Sequence, residues 1–404
     1  MNIKLKKTVI ITILTIIFSI IPIITSFSGG SVAKAENKTV ETNKEEVLDG
    51  ETKEGLNNLY DYINKMKTDV ELVNELNPME YVKSYIEEGH GNLSFSVVFK
   101  AIISLLFREV RSVLKLVISV IVIAILCSLL KNLQDAFKNE NISQIAFFAC
   151  YSILVMILSK SFMISIEVAT DAINEIANFM AALLPILVTM IALAGGFVQA
   201  ATLDPIILAA VTIIPRIYIS IIIPLILIGF VMEFANNLST EHKIDNLCKL
   251  VKQIIMWSQG IIITVFIATL TIRGITADTM DAVALKTTKF AVDNFIPIVG
   301  KTFSDAITSV AGYSLIIKNA ITGVGLIVIV LVLLYPIIKL VLMSFIYKLS
   351  AALVEPISDK RITSSIAAVG DALILLLSCV ISISFMFFIL LGIMASAGKF
   401  VVGG

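Results

Sequence analysis

Three ionisable residues lie within one largely apolar stretch of this sequence, residues 295–327. They are Lys301, Asp305 and Lys318. Lys301 and Asp305 are four residues apart, a spacing at which opposite charges pair on a helix. Ionisable groups inside a membrane are costly, and they usually face a bundle interior or a water-filled cavity. These residues therefore predict a hydrated environment suited to ions or polar solutes.

Arg216 is another charged residue at predicted membrane depth, and it follows Pro215 in an apolar stretch. Two interpretations are open. Arg216 lines a pore or cavity, or its long side chain extends along a kink to the membrane surface. Lys339, which follows Pro336, presents the same choice, and extension to the surface is the favoured interpretation there.

Two apolar segments interrupted by proline and glycine must position these residues. The segments are 179–208 and 295–327, and the residues that break them are Pro185, Gly195, Gly196, Pro297 and Gly300. Backbone that bends at membrane depth needs hydrogen-bond partners other than lipid. We therefore expect both segments to lie inside a bundle or to line a cavity. The glycine pair at 195–196 allows either close helix packing or a tight bend, and close packing is the simpler choice.

The composition indicates a polytopic membrane protein. Hydrophobic residues make up 57% of the chain, charged residues 15%, and the mean hydropathy is +0.95, values outside the soluble range. A formal net charge of zero gives no attraction to nucleic acid. Two histidines and four widely separated cysteines offer no zinc cluster, and no nucleotide-binding glycine motif is present. We expect no enzymatic activity, metal or cofactor, so a partner must supply energy for any transport.

The N-terminal 92 residues differ in composition from the rest. Residues 1–35 combine early lysines, an apolar run and the sequence Ala33-Lys34-Ala35, the pattern of a cleaved signal peptide; an uncleaved anchor helix is the alternative. Residues 36–92 contain fourteen acidic residues and six lysines, with apolar residues at helical spacing over 56–76. They predict a small acidic helical domain outside the cytoplasm, which either docks a partner or serves as a soluble spacer.

Hydropathy and charge predict an all-α protein with about six to eight transmembrane helices. Six full spans are expected at 116–130, 142–159, 217–235, 254–272, 324–346 and 373–394. An interfacial helix is expected at 93–115, and an acidic amphipathic helix outside the membrane at 161–178. Three basic loops should face the cytoplasm: 131–141, 236–252 and 348–361. This orientation makes 179–201 and 295–319 re-entrant from the outer side. The alternative is seven or eight plain spans.

The two halves of the membrane region resemble a degenerate repeat. Pro185 and Pro297 are 112 residues apart, and so are Pro224 and Pro336. Each half has an amphipathic helix, a broken segment, a proline-containing span, a basic loop and a span, which is the order of a parallel repeat. The predicted divisions are a signal peptide at 1–35, the acidic domain at 36–92, an interfacial helix with two spans at 93–160, and repeats at 161–274 and 275–404.

Three motifs resemble the stage III sporulation protein AE family of endospore-forming Firmicutes. The first reads Leu184-Pro185, Gly195-Gly196 and Pro205. The second reads Pro297, Gly300, Ser304-Asp305-Ala306 and Lys318-Asn319-Ala320. The third and most specific reads KLSAALVEP at 348–356, followed by Asp359 and Arg361-Ile362. The resemblance covers nearly the whole chain after the signal peptide, whereas residues 36–92 match in character alone.

The resemblance implies a role in spore formation. Family members are expected in the mother-cell membrane that surrounds the forespore, within a transenvelope complex thought to act as a channel. The implied partners are other membrane proteins of that complex, a protein similar to secretion ATPases, and membrane lipid. Two further functions stay open: a non-conducting scaffold, and an ion-coupled secondary transporter. The transporter is disfavoured because no carboxylate pair stands out at membrane depth.

The cytoplasmic segment 348–361 is the candidate docking site for such partners. Pro356 disfavours helical geometry at the preceding residue, so a helix should end near Glu355. The residues expected to form the docking patch are Lys348, Glu355, Pro356, Asp359 and Arg361. The alternative is an ordinary basic loop that only fixes the orientation of the chain.

Overall fold

The computed structural model describes residues 61–63, 103, 107–111, 113–114, 117–129, 140–238, 243–295 and 300–397. Within these helices, side chains are not described at 140–144, 146, 202–204, 206, 273–280, 282–286, 288–295 and 300–309. The predicted signal peptide, most of the acidic domain, the loop 131–139 and Pro297 lie outside the described residues.

All regular elements of the described residues are helices. They are α1 (Val117–Leu129), α2 (Glu140–Leu193), α3 (Phe197–Ile217), α4 (Ile223–Leu238), α5 (Asp245–Phe295), α6 (Gly300–Val354) and α7 (Lys360–Ser396). A π-helical turn, Tyr218–Ile222, joins α3 to α4. Five segments are long and apolar enough to cross a membrane: Phe147–Leu193, Ile207–Leu238, Asp245–Ile272, Val310–Val354 and Lys360–Ser396. The chain is therefore an all-helical, multi-pass membrane protein. The described part has fewer spans than predicted, and the described residues of α1 are fewer than the roughly 20 that a crossing requires.

Successive long elements run in opposite directions, with α3 and α4 forming one element. Near the start of α2, the Tyr151 hydroxyl is 2.7 Å from Ser365 Oγ in the first turns of α7. The same hydroxyl donates to the carbonyl of Phe234, near the end of α4. The basic loops 236–252 and 348–361 thus lie at one end of the bundle, which we call the basic end. The opposite end, which contains the turn at 194–196, is the distal end. This arrangement agrees with the predicted cytoplasmic location of both loops.

Helix α7 occupies the centre of the bundle and buries most of its residues. It packs against α6 along much of its length, and also against α2, α4 and α5. Two glycines permit close approaches in the bundle, one between α6 and α2 and one between α7 and α6. A Cβ atom at Gly325 would lie 2.6 Å from Leu183 Cδ2, and one at Gly370 would lie 2.7 Å from Lys348 Cγ. Small residues bring membrane helices together in this way because dispersion contacts hold them in lipid.

Residues 142–201 do not form the predicted succession of span, external helix and re-entrant hairpin. Helix α2 is continuous over 54 residues and contains Pro185. It continues through the acidic stretch because that stretch buries an apolar face, including Phe162, Ile173 and Ile176. Phe162 stacks on Phe230 of α4 at 3.9 Å. The stretch 161–178 is therefore part of one long helix that packs beside a predicted span, and the prediction that it is a separate helix was wrong.

Of the second predicted re-entrant segment, 295–319, the described residues 300–319 form continuous helix with the span that follows. Helix α6 is continuous over 55 residues and contains Pro336. Its glycine, serine and threonine residues do not force a break, because packing against neighbouring helices stabilises a continuous helix. The predicted repeat boundaries at 160/161 and 274/275 fall inside α2 and α5. The repeat itself stays a prediction.

Candidate functional site: capped helix ends and buried polar groups

The turn between α2 and α3 is a tight glycine bend. Gly195 has φ 90°, which is the left-handed region that glycine enters readily. Its N–H donates to the Ala192 carbonyl, and the Gly196 N–H donates to the Ile191 carbonyl, both at 2.9 Å. This is the Schellman pattern that ends many helices. Of the two roles open for this glycine pair, the bend is the one observed. Pro185 lies about three turns earlier on the exposed side of α2.

Asp281 of α5 caps the helix that starts after this bend. Its Oδ1 accepts from the Val198 N–H at 2.7 Å, and its Oδ2 accepts from the Gln199 N–H at 3.0 Å. Gly196 precedes α3 and has no side chain to do this. A carboxylate at a helix N-terminus satisfies free N–H groups and complements the helix dipole. Asp281 is 7% exposed, so the contact holds α5 against α3 in a solvent-poor position.

Asp281 was not predicted from the sequence. One signal was available, because a helix that starts at a glycine pair lacks a capping side chain of its own. This feature predicts that another residue caps the helix, but it does not identify that residue in the sequence. Only the antiparallel packing of α5 on α3 identifies Asp281 as the cap.

Lys318 has the complementary position at the end of α7. Its side chain is 0% exposed, and its Nζ donates to the carbonyls of Ala395, at 3.1 Å, and Ala397. A cation at a helix C-terminus complements the helix dipole. Lys318 therefore ties α6 to the end of α7 and faces protein carbonyls in place of the hydrated cavity that we predicted. Gly300 is the first residue of α6, while the side chains of Lys301 and Asp305 lie outside the described residues.

A buried polar cluster joins α5 to α7 further from the distal end. Gln259 Oε1 accepts from Ser378 Oγ at 3.0 Å and from Ser382 Oγ at 3.3 Å, and its Nε2 lies 3.4 Å from Cys379 Sγ. The buried Tyr218 hydroxyl lies near Ser382 and Cys379, although its geometry gives no hydrogen bond within the described part of the chain. These groups are uncharged. They can hold helices in register, but they include no carboxylate and no basic side chain.

Tyr218 lies in the π-helical turn for a reason that the sequence contains. Pro224 lacks the N–H that a regular helix needs to bond the carbonyl four residues earlier. The chain shifts register there, and the Ile223 N–H donates to the carbonyl of Tyr218. Such single π turns often occur at functional sites.

Arg216 and Lys339 differ in placement. Arg216 is exposed on the outside of the bundle, so it does not line the interior of the chain. Lys339 Nζ donates to the Tyr335 hydroxyl at 2.7 Å and lies 5.1 Å from the centre of that ring. Both placements fit side chains that extend along the helix surface.

The candidate docking patch at the basic end is largely occupied by contacts within the chain. Lys348 pairs with Asp371 at 2.8 Å. Asp359 caps α7 by accepting from the Arg361 N–H at 2.8 Å, and the Arg361 guanidinium lies 4.0 Å from the centre of the Phe147 ring. Helix α6 ends at Val354, as Pro356 predicted.

The structure brings Asp359 and Arg361 together, whereas Lys348 pairs elsewhere. Glu355, Pro356, Ile357 and Lys360 are the exposed residues of the patch and its adjoining turn. Any partner that docks here must therefore recognise mainly these four residues.

Comparisons with known proteins give the relationship of the chain. A sequence model of the family described as Stage III sporulation protein AE matches residues 76–398. Stage III sporulation protein AE of Bacillus subtilis (strain 168) is 31% identical over 318 residues, which cover 78% of this chain and 80% of that protein. No solved structure matches the chain. The match includes every helix from α1 to α7, and the chain therefore belongs to the stage III sporulation protein AE family, with a role in sporulation.

Proposed function

We propose that this protein is an integral membrane subunit of a channel or secretion-like complex that links the mother cell to the forespore. It would sit in the mother-cell membrane around the forespore and support late forespore gene expression. The observation that carries this proposal is the family match over the whole helical bundle. The absence of a nucleotide-binding motif from the sequence fits a subunit that depends on a partner ATPase for energy.

The packing of the bundle bears on where a path for solutes would run. Helix α7 fills the centre, and the charged end of Lys318 is enclosed by carbonyls. We therefore place the path between this chain and neighbouring subunits, and not through the middle of one chain.

A non-conducting scaffold is the second candidate. One specific observation favours it: Asp281, Lys318 and Gln259 all bind groups of the same chain, so each has a structural use. An ion-coupled transporter has less support, because the Asp281 carboxylate is engaged by the N-terminus of α3.

Deletion of the gene with controlled complementation tests the proposal. A late forespore reporter and spore yield should both fall in the deletion strain, while forespore engulfment is completed. The wild-type chain should restore both when it is expressed in the mother cell. Normal reporter expression in the deletion strain, or rescue by expression in the forespore alone, would contradict the proposed role.

A further inference from the structure

One face of α2 carries a polar stripe at helical spacing. Its members share exposure to the outside of the bundle: Lys160, Glu167, Asp171, Asn174 and Asn178. The steps between them are seven, four, three and four residues, which keep them on one side of a helix. The opposite side of the same stretch packs into the core through Phe162 and Ile173.

Contacts with α6 place this stripe at the depth of an apolar span. The Tyr347 hydroxyl donates to Ser161 Oγ at 2.5 Å, and Ser165 Oγ lies 3.6 Å from Met343 Sδ. Further along, Leu183 lies against Gly325. Residues 161–183 of α2 therefore run beside residues 325–347 of α6, part of the apolar segment Val310–Val354.

The side of the bundle that α5 forms carries no charged side chain at the same depth. Ser344 bonds the carbonyl of Gly370, and Ser378 and Ser382, which bond Gln259, lie about 15 Å further along α7 at about 1.5 Å per residue. The same distance along α6, measured from Ser344 toward the distal end, leads to the part of α6 that runs beside Asp171 and Asn174 of α2. Gln259 therefore lies at about the same level as these two residues.

At this level the exposed side chains of α5 and of the π-helical turn are uncharged; Thr264 and Ser220 carry hydroxyls, and three others are large and apolar. Ile221, Ile261 and Val265 are 58%, 61% and 59% exposed. These apolar side chains suit lipid. A carboxylate at the bilayer centre costs about 2.5–3.5 kcal/mol on insertion scales, so the polar face of α2 needs surroundings other than the lipid that meets α5 at this depth.

We propose that the polar face of α2 lines a water-filled path at bilayer depth, formed between this chain and neighbouring subunits. Its two carboxylates and one ammonium favour positively charged solutes or segments over negative ones. The choice of solute rests on the proposed channel function, whereas the water exposure of the face can be tested without it.

Matched cysteines test the exposure. Cys127, Cys150, Cys248 and Cys379 are first replaced by alanine or serine in the full chain. Single cysteines are then placed by Asp171→Cys and Ile261→Cys, with Asn174→Cys as a second position on the polar face. Membranes from sporulating cells are treated on both sides with a charged, membrane-impermeant maleimide. The expected result is at least tenfold faster labelling at 171 and 174 than at 261.

Two results would overturn the inference. Labelling at 171 and 174 as slow as at 261 places the face in lipid or in a dry interface. Fast labelling at all three positions means that this depth is outside the membrane.

Charge reversal then tests the selectivity of the path. Glu167→Lys with Asp171→Lys should lower the late forespore reporter at least tenfold, while Glu167→Asp with Asp171→Glu should retain it. Both variants should accumulate and co-purify with the wild-type set of partners. An unchanged reporter in the reversed variant would refute a path that favours cations and leave the proposed complex intact. If the wild-type chain itself co-purifies with no partner, the proposed function is refuted instead.

Discussion

Replacing Asp281 tests whether the bend between α2 and α3 depends on a cap from α5. Asp281→Ala removes two hydrogen bonds, of 2.7 and 3.0 Å, to the N–H groups of Val198 and Gln199. Loss of an ordinary N-cap costs about 0.5–2 kcal/mol, and a hydrogen bond to a charged group contributes about 1.5–3 kcal/mol. With both bonds lost in a buried site, we expect unfolding to become easier by about 3 kcal/mol. Asp281→Asn keeps one acceptor oxygen and should lose about half as much.

Thermal unfolding of the purified chain in detergent, followed by a thiol-reactive dye that reports buried cysteines, measures this effect. Glu355→Ala is the matched control, because it removes an exposed carboxylate and surface changes usually stay within about 0.5 kcal/mol. The expected order of midpoints is control, then Asp281→Asn, then Asp281→Ala. If Asp281→Ala has the same unfolding midpoint as the control, the assignment of Asp281 as the cap of α3 is refuted.

Three further changes have expected outcomes. Gly195→Ala forces a side chain into the left-handed region at φ 90°, so we expect a loss of about 1–2 kcal/mol in the same unfolding assay; an unchanged midpoint would contradict the glycine-specific bend. Lys318→Met removes the hydrogen bonds to the Ala395 and Ala397 carbonyls and should loosen the end of α7. We expect faster proteolysis near the C-terminus, and an unaltered digestion pattern would contradict this role of Lys318. Exchanging the exposed charges, Glu355→Lys with Lys360→Glu, should reduce recovery of cytoplasmic partners without changing stability, and full recovery would leave the loop as an orientation signal.

The sequence predicted the helical class and the multi-pass membrane character well, and the loops 236–252 and 348–361 lie at one end of the bundle, as the predicted orientation requires. Apolar runs of about 20 residues and the basic loops carry this information directly. The end of α6 at Val354 was also predictable, because Pro356 restricts the residue before it.

Helix continuity was not predictable from local pattern. The acidic stretch 161–178 was interpreted as a separate element because its charges stand on one face. Its opposite face packs on α4 and α6 through Phe162 and Ser165, and this tertiary packing keeps α2 continuous. Pro185 likewise allows α2 to continue, whereas Gly195 ends it, since only the glycine adopts positive φ.

The candidate site was predicted unevenly for a similar reason. Lys318 was found as an unusual charge in an apolar stretch, but its role at the end of α7 depends on a helix about 77 residues away in sequence. Asp281 and Gln259 were missed because their importance comes from contacts between helices. Residue type and spacing identify such groups only when both partners lie on one element.

Affinity capture of the full-length chain from sporulating cells is the sharpest test of the proposed complex. The chain, tagged at a position that preserves spore yield, would be extracted in mild detergent and its bound proteins identified and quantified. We expect recovery of the other stage III membrane proteins and of a secretion-type ATPase in fixed proportion to the chain. Recovery of the functional chain alone, from membranes in which those proteins are present and soluble, would contradict membership of a transenvelope complex.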